Sequence, residues 1–316
     1  MNQELLKRIE ALEKKYQASG QDLLAFLDGL LYANYITYWD YIQLDTLLSL
    51  QKPRTDIPDE EIFIMYHQIT ELYFKLSLHE IRQIQAWDEV PANALMDKIQ
   101  RINRYFHALT TSFGVMEKGM DREQFLQFRL ALIPASGFQS AQYRQIEIGC
   151  TDLIYLVEAD KRESLQTSDL ETQLANIYWR NGATIAETGE KTLTLKQFEE
   201  KYQKLFLEEA KIAKDRNIWQ RFKDCDTDAE TKEKLISALR LLDINVNVNW
   251  PLQHYKTAVA YLARRPADVA ATGGTNWQRY LPPRFQKRIF YPELWSEQEK
   301  EEWGKQWVET TLEELK

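Results

Sequence analysis

Only four histidines occur in the chain, His67, His79, His107 and His254, so each can be weighed for chemistry on its own. His67 sits inside DEEIFIMYHQITELYFKLSLHE, Asp59 to Glu80, an otherwise apolar helical run. It lies four residues after Phe63 and seven before Phe74, a spacing that puts all three on one helix face. An imidazole between two aromatic rings suits a planar ligand whose N–H it can read. The alternative is a core histidine bonded to a backbone carbonyl. His254 opens HYKTAVAYLA shortly after Pro251, a residue that suits a first helical turn. His254, Val259 and Leu262 are close enough in helical phase to share a broad face, which would turn the imidazole inward. A haem iron asks for one axial imidazole on a helix beside an apolar slot. A capping or core histidine is the other reading.

Arg129 lies in FLQFRLALIPASGFQS, with Phe125, Phe128, Leu130, Leu132 and Ile133 around it. An unmatched buried charge is costly, so this guanidinium needs a partner. Asp121 or Glu147 could supply it internally. A ligand carboxylate held by both arms of the fork could supply it instead. Thr272-Gly273-Gly274-Thr275 is a glycine turn between hydroxyl residues, open enough for backbone to approach a ligand. It is too short for a nucleotide-binding fingerprint.

The elements that must position these residues read as helices throughout. Asn2 can cap LLKRIEALEKKY, and Gly20 ends it. Helical patterns follow near 21–33, 38–51, 59–87, 92–117, 138–160, 168–181, 195–215, 228–247, 251–264 and 296–315. Pro53, Pro58, Pro91, Pro134, Pro251 and Pro266 fall at the joints. TLTL, Thr192 to Leu195, is the nearest thing to a strand and is too short. The pattern predicts an all-α, helical bundle-like single domain over 1–316. The charged stretch Asp160 to Asp169 is a surface crossover, and 160–235 is a candidate peripheral helical insertion. Aromatic residues make up 12% of the chain and concentrate in YANYITYWDYIQLD and NVNVNWPLQHY. Such rings fill helical cores, and they also suit a large flat cofactor.

Bulk composition narrows the function classes. With 316 residues the chain can bury a substantial core. Its net charge of −8, with both signs interspersed, speaks against a nucleic-acid partner. Cys150 and Cys225 are the only cysteines, so there is no disulfide framework and no zinc spacing. No apolar run reaches a membrane span, and the N-terminus has no apolar signal core. A soluble, cytoplasmic protein is expected, with no membrane partner.

Taken in order along the chain, several stretches resemble the tryptophan 2,3-dioxygenase family of haem enzymes. They are TYWDYIQLDTLLSLQKP, PDEEIFIMYHQITELYFKLSLHE, QFRLALIPASGFQSAQYRQIE, HYKTAVAYLA, ATGGTNWQRYL and FYPELW. SGFQSAQYR is the most specific, since generic helix packing does not require it. The resemblance implies an all-helical homotetramer with a haem pocket and non-covalent haem b, ferrous when active. It implies that L-tryptophan and O2 are the substrates and that the indole C2–C3 bond is cleaved to give N-formylkynurenine, the kynurenine route of tryptophan catabolism. By the same resemblance His254 is the proximal haem ligand and His67 the distal histidine that accepts the indole N–H. Phe63 is the ring beneath the indole, Arg129 the carboxylate clamp and Thr272 the hydroxyl that meets the ammonium. Tyr38 and Tyr41 help close the pocket, partly from a neighbouring subunit.

Three places depart from the family pattern. Phe125 stands where a tyrosine is frequent, the stretch from His254 to Thr272 is longer, and Thr275-Asn276-Trp277 follows the glycines where small residues are common. Two other functions fit the same residues. One is a related haem oxygenase acting on another aromatic amino acid, as in tyrosine hydroxylation. Relatives of that kind can tether haem through a cysteine after the proximal histidine, and HYKTAVA has none. The other is a non-enzymatic helical sensor of haem or a small aromatic.

Overall fold

The computed structural model describes residues 2–33, 36–132, 137–181, 183–184, 190–262 and 287–304. Among the described residues every named element is helical, and the β geometry is limited to two isolated bridges, Val157 with Ile177 and Thr184 with Lys191. None of the described helices is long and apolar enough to cross a membrane. The turn at 272–275, and with it Thr272, lies outside the described residues.

The chain divides into two compact units, Met1–Lys52 and Pro53–Lys316. In the first, α1 (Gln3–Ala18) starts at Asn2, whose side chain accepts from the Glu4 N–H as expected. It ends before Gly20, which takes the left-handed φ of 68° that glycine adopts without strain. Tyr16 of α1 meets Phe26 of α2 (Leu23–Tyr32) at 4.6 Å between ring centroids. The helix expected at 38–51 is broken into α3 (Tyr38–Tyr41) and α4 (Leu44–Leu47), because Gln43 between them is left-handed at φ 54°. None of these four helices buries a residue.

The second unit is built on α5 (Asp59–Ala86), whose first turn carries Asp59, Glu60 and Glu61 against the positive helix end. It packs against α6 (Ala92–Ser112). Short helices α7 (Gly114–Lys118) and α8 (Arg122–Phe128) follow. The helix α9 (Ala141–Cys150) lies against α5 on another side. It stops ten residues short of the expected 160, where Thr151 turns extended and its hydroxyl donates to the Phe290 carbonyl. Short helices α10 (Arg162–Leu165), α11 (Leu170–Ala175) and α12 (Tyr178–Asn181) lead to α13 (Leu193–Arg216), packed on α9 with Phe198 and Phe206 buried, and to α14 (Ile218–Asp224). Then α15 (Ala229–Ile244) packs on α6 and runs through a π turn, Asn245–Asn249, into α16 (Trp250–Leu262). Ile81, Ile84, Ile99, Ile102, Phe106 and Leu239 are at most 1% exposed and form the centre of the core.

After the undescribed stretch, residues 287–304 return to the core. Arg288 reaches Glu147 and the Tyr178 hydroxyl. The buried Asp243 carboxylate accepts from the Phe290 and Tyr291 N–H groups at 2.9 and 3.2 Å and from the Trp295 indole at 3.0 Å. Trp295 and Trp303 form a small satellite core with Val248 and Ile289, next to α17 (Glu297–Glu301).

Candidate functional site

His67 and His254 stand 187 positions apart in sequence, yet α5 and α16 bring them close enough that a charge on His67 is felt at His254. A wall of rings joins them. Phe63 lies offset under His67 at 4.1 Å between centroids. Tyr66 meets His67 edge-on at 5.9 Å and Phe113 at 5.5 Å. Phe113 in turn meets His254 at 5.8 Å and Trp250 at 4.8 Å. Phe125 and Phe128 close the far side of Phe63 at 6.2 and 5.6 Å. Phe74, expected beside His67, packs instead on Phe106, Tyr143 and Trp250 in the core. Seven residues is nearly two helical turns, about 10 Å along the axis, too far for one small pocket.

The two imidazoles differ in state. The Nδ1 of His67 is 2.7 Å from the Phe63 carbonyl oxygen. A carbonyl only accepts, so Nδ1 carries the hydrogen and donates, and Nε2 keeps the lone pair. The ring is open to solvent, while protein packs densely enough around it that desolvation lowers its pKa. Burial pulls the His254 pKa down to about 4, and repulsion from His67 adds to this. His254 is therefore neutral at pH 7, and among the described residues nothing hydrogen-bonds to its ring. His79 and His107 lie exposed on α5 and α6.

Arg129 follows Phe128 at the end of α8 and is 7% exposed, so its guanidinium is held in a largely dry place where desolvation lowers its pKa. The starts of α5 and α8 are tied together by the Asp59 N–H on the Gln124 side chain at 3.1 Å and by the Asp121 N–H on the Asp59 carboxylate at 2.5 Å. These ties set Phe125 and Phe128 of α8 against Phe63, with Arg129 next in sequence. Glu147 binds Arg144 at 2.8 Å and also Arg288 and Tyr178, and Asp121 serves the α8 cap. Tyr38 and Tyr41 belong to the first unit, 70% and 74% exposed.

Phe113 and Tyr66 belong to this wall although neither is a candidate from the sequence, whereas Trp250 lies in the aromatic stretch NVNVNWPLQHY. The adjacency of Tyr66 to His67 was a usable signal, whereas Phe113 has none in its own neighbourhood. In NVNVNWPLQHY the rings stand out in the sequence and the three alternating asparagines do not.

Comparison with known proteins bears on this geometry. A family model described as tryptophan 2,3-dioxygenase matches residues 31–238. The chain belongs to the tryptophan 2,3-dioxygenase family. A tryptophan 2,3-dioxygenase of Caulobacter vibrioides is 30% identical over 280 residues, 83% of this chain and 97% of its own length. One from Exiguobacterium sibiricum is 28% identical over 274 residues, again 83% of this chain and 91% of its own. One from a Ruegeria species reaches 38%, but over 117 residues, 37% of this chain and 42% of its own length. As a member of the family the chain is a dioxygenase-type oxidoreductase. The family match covers His67 and Arg129 and ends before His254.

Membership implies haem, and the residues present fit one. Among the described residues no three His, Cys, Asp or Glu side chains converge to hold a bare metal ion. An iron on His254 would bring its other ligands with it, as a porphyrin does. The imidazole is neutral, and aromatic rings line its surroundings.

Proposed function

We propose that the chain holds haem b on His254 and cleaves the indole C2–C3 bond of L-tryptophan with O2, giving N-formylkynurenine. The observation that supports this reading is the run of ring contacts that joins two neutral imidazoles from distant helices, His67 through Tyr66 and Phe113 to His254. Haem, when bound, supplies the activation of O2 that no amino-acid side chain can provide.

The chain's own residues then bind and orient. Tryptophan brings a flat apolar ring, one N–H, a carboxylate and an ammonium. Phe63 offers a face for the ring. The Nε2 lone pair of His67 accepts the indole N–H and fixes the rotation of the ring in its plane. His67 acts here as an acceptor, and removal of the indole proton is not required of it. Arg129 takes the carboxylate with two parallel N–H···O bonds, and Thr272 takes the ammonium. Tyr38 and Tyr41 close the pocket from a neighbouring subunit of a homotetramer. Phe125 packs on Tyr261 at 4.8 Å and leaves the carboxylate without a phenolic donor at that position, which increases its dependence on Arg129. Held this way the substrate is a positioned reactant, and much of the rate follows from that positioning.

The test is anaerobic reduction of the haem-loaded protein, then mixing with tryptophan and O2 while the ultraviolet absorbance of formylkynurenine is recorded. Product formation that depends on O2 and on His254 supports the reading. A stable haem protein with no turnover overturns the catalytic part of it. An unchanged Soret band in His254→Ala removes that residue from the iron.

A further inference from the structure

The helix that carries His254 contains a fault with a definite geometric effect. Leu235, Leu239, Leu242 and Val246 are fully buried and trace the core-facing stripe of α15. At about 100° per residue these four fall within about 60° of one another. Continued without interruption, that stripe passes through Gln253, and His254 lies about 90° off it. The helix is interrupted. At Asn245–Asn249 it opens into a π turn, with the Trp250 N–H bonding back five residues to the Asn245 carbonyl. Such a turn absorbs one extra residue and swings all that follows back by about 100°. His254 thereby comes onto the stripe and meets Phe113, Tyr261 comes in below it, and Gln253 turns aside to Glu117.

A π turn is intrinsically unfavourable and needs support. Here the support is a chain of buried amides. Asn249 donates to the Asn245 side chain, Asn245 to the Asn103 side chain on α6, and Asn103 to the Ala238 carbonyl of α15, each at 3.0 Å. Asn103 and Asn245 are each 6% exposed, so these bonds are made in a dry place where a lost partner is costly. Asparagine is a poor helix former because its side chain competes for backbone-like bonds, which suits a turn that is not α.

We infer that Asn103, Asn245 and Asn249 are positioning residues: they hold the π turn open, and the turn aims His254 at the haem. This rests on the reading of His254 as the iron ligand. The test uses the full-length, haem-loaded protein and follows haem transfer to an excess of a haem-scavenging apoprotein, with the Soret spectrum and far-ultraviolet circular dichroism alongside. Asn245→Ala should release haem about tenfold faster and shift the Soret band, the size of effect expected when a ligand loses its outer support. Deleting Asn249 removes the extra residue and keeps His254 on the same face, so this variant should hold haem as the parent does. Combined with Asn245→Ala, the deletion should restore slow release. A folded Asn245→Ala protein that only melts earlier, with unchanged haem release, overturns the inference. If Asn245→Ala does not fold, the deletion decides, since a folded deletion variant that loses haem overturns it equally. An unchanged Soret band in His254→Ala identifies failure of the ligand assignment, whatever the asparagine variants do.

Discussion

A histidine that donates its Nδ1 hydrogen to its own helix has one function left at the other nitrogen, that of an acceptor. His67 is in this position through the Phe63 carbonyl. Its pKa is lowered by desolvation below the usual 6.5, so the acceptor form persists as pH falls through 6.5 and is lost only lower. The acid limb of kcat/KM for tryptophan should therefore lie below pH 6.5, and a limb at or above that value contradicts the assignment. Losing one neutral hydrogen bond is worth about 0.5–1.5 kcal/mol, so His67→Ala should slow the reaction by roughly threefold to tenfold and not abolish it. With 1-methyltryptophan, which has no indole N–H, parent and variant should converge. Arg129 bears the larger load. Deleting one partner of a dry guanidinium–carboxylate pair costs about 2–5 kcal/mol, so Arg129→Ala should raise the tryptophan KM strongly and lower kcat/KM. Lysine, without the planar fork, should rescue only in part. Tryptamine should be a poor substrate for the parent, with the gap narrowed in the variant; equal loss on both substrates, with a lower melting temperature, would make Arg129 a structural residue. His67, Phe63, Arg129 and His254 were legible because each is a rare polar or aromatic residue in a long periodic run. The real partners of Glu147 were not, since Arg288 stands 141 positions away and only the fold brings it there.

Helix type was legible wherever apolar periodicity ran for several turns, as in α5, α6, α13 and α15; Pro58 and Pro91 stand at helix starts as expected, whereas Pro251 lies within the continuous run from α15 to α16 just after the π turn, and Pro134 and Pro266 lie outside the described residues. Two features escaped because periodicity does not encode them. The end of α9 depends on Thr151 finding the Phe290 carbonyl, a contact made across 139 positions. The π turn keeps apolar residues on the core side before and after it, so a window of hydrophobicity reads it as ordinary helix. Asp243 sits at the head of that turn and gathers four N–H donors: Phe290, Tyr291, the Trp295 indole and the Asn247 amide at 2.7 Å. Burial pushes its pKa up to about 6, while these bonds pull the other way. Removing the carboxylate strands several buried donors at about 1–3 kcal/mol each, so Asp243→Ala should cost at least about 3 kcal/mol and is among the most destabilising single changes available. Urea unfolding of the haem-free protein measures this. A loss under about 1 kcal/mol would show that water takes over these donors and that Asp243 does not anchor residues 287–295.

At the scale of the whole molecule, the first unit presents large apolar side chains on its surface. Its four helices bury nothing, while Leu24, Leu30, Leu31, Tyr32, Tyr38 and Tyr41 are each at least 68% exposed. Apolar side chains of this size are rarely left in water in such number, and they suit a surface that another chain would cover. A further copy of the same chain is the economical occupant, because closed symmetric assemblies bury the same patch on every subunit. The proposed homotetramer, in which Tyr38 or Tyr41 completes a neighbour's pocket, would cover such a patch. Light scattering should give a tetramer, and a stable, fully active monomer would contradict it. Sharing of residues between subunits has a sharper signature. A Tyr38→Ala/Tyr41→Ala protein and an Arg129→Ala protein should each turn over tryptophan poorly. If the tyrosines act in their own subunit, co-assembling the two variants creates no intact pocket and activity stays at the mean of the two. If they act in trans, random assembly pairs an intact Arg129 with intact tyrosines in about a quarter of pockets, and roughly that fraction of parental activity should return. Recovery in co-expressed, mixed tetramers but not in variants purified separately and combined without subunit exchange would assign the first unit to the neighbour's site.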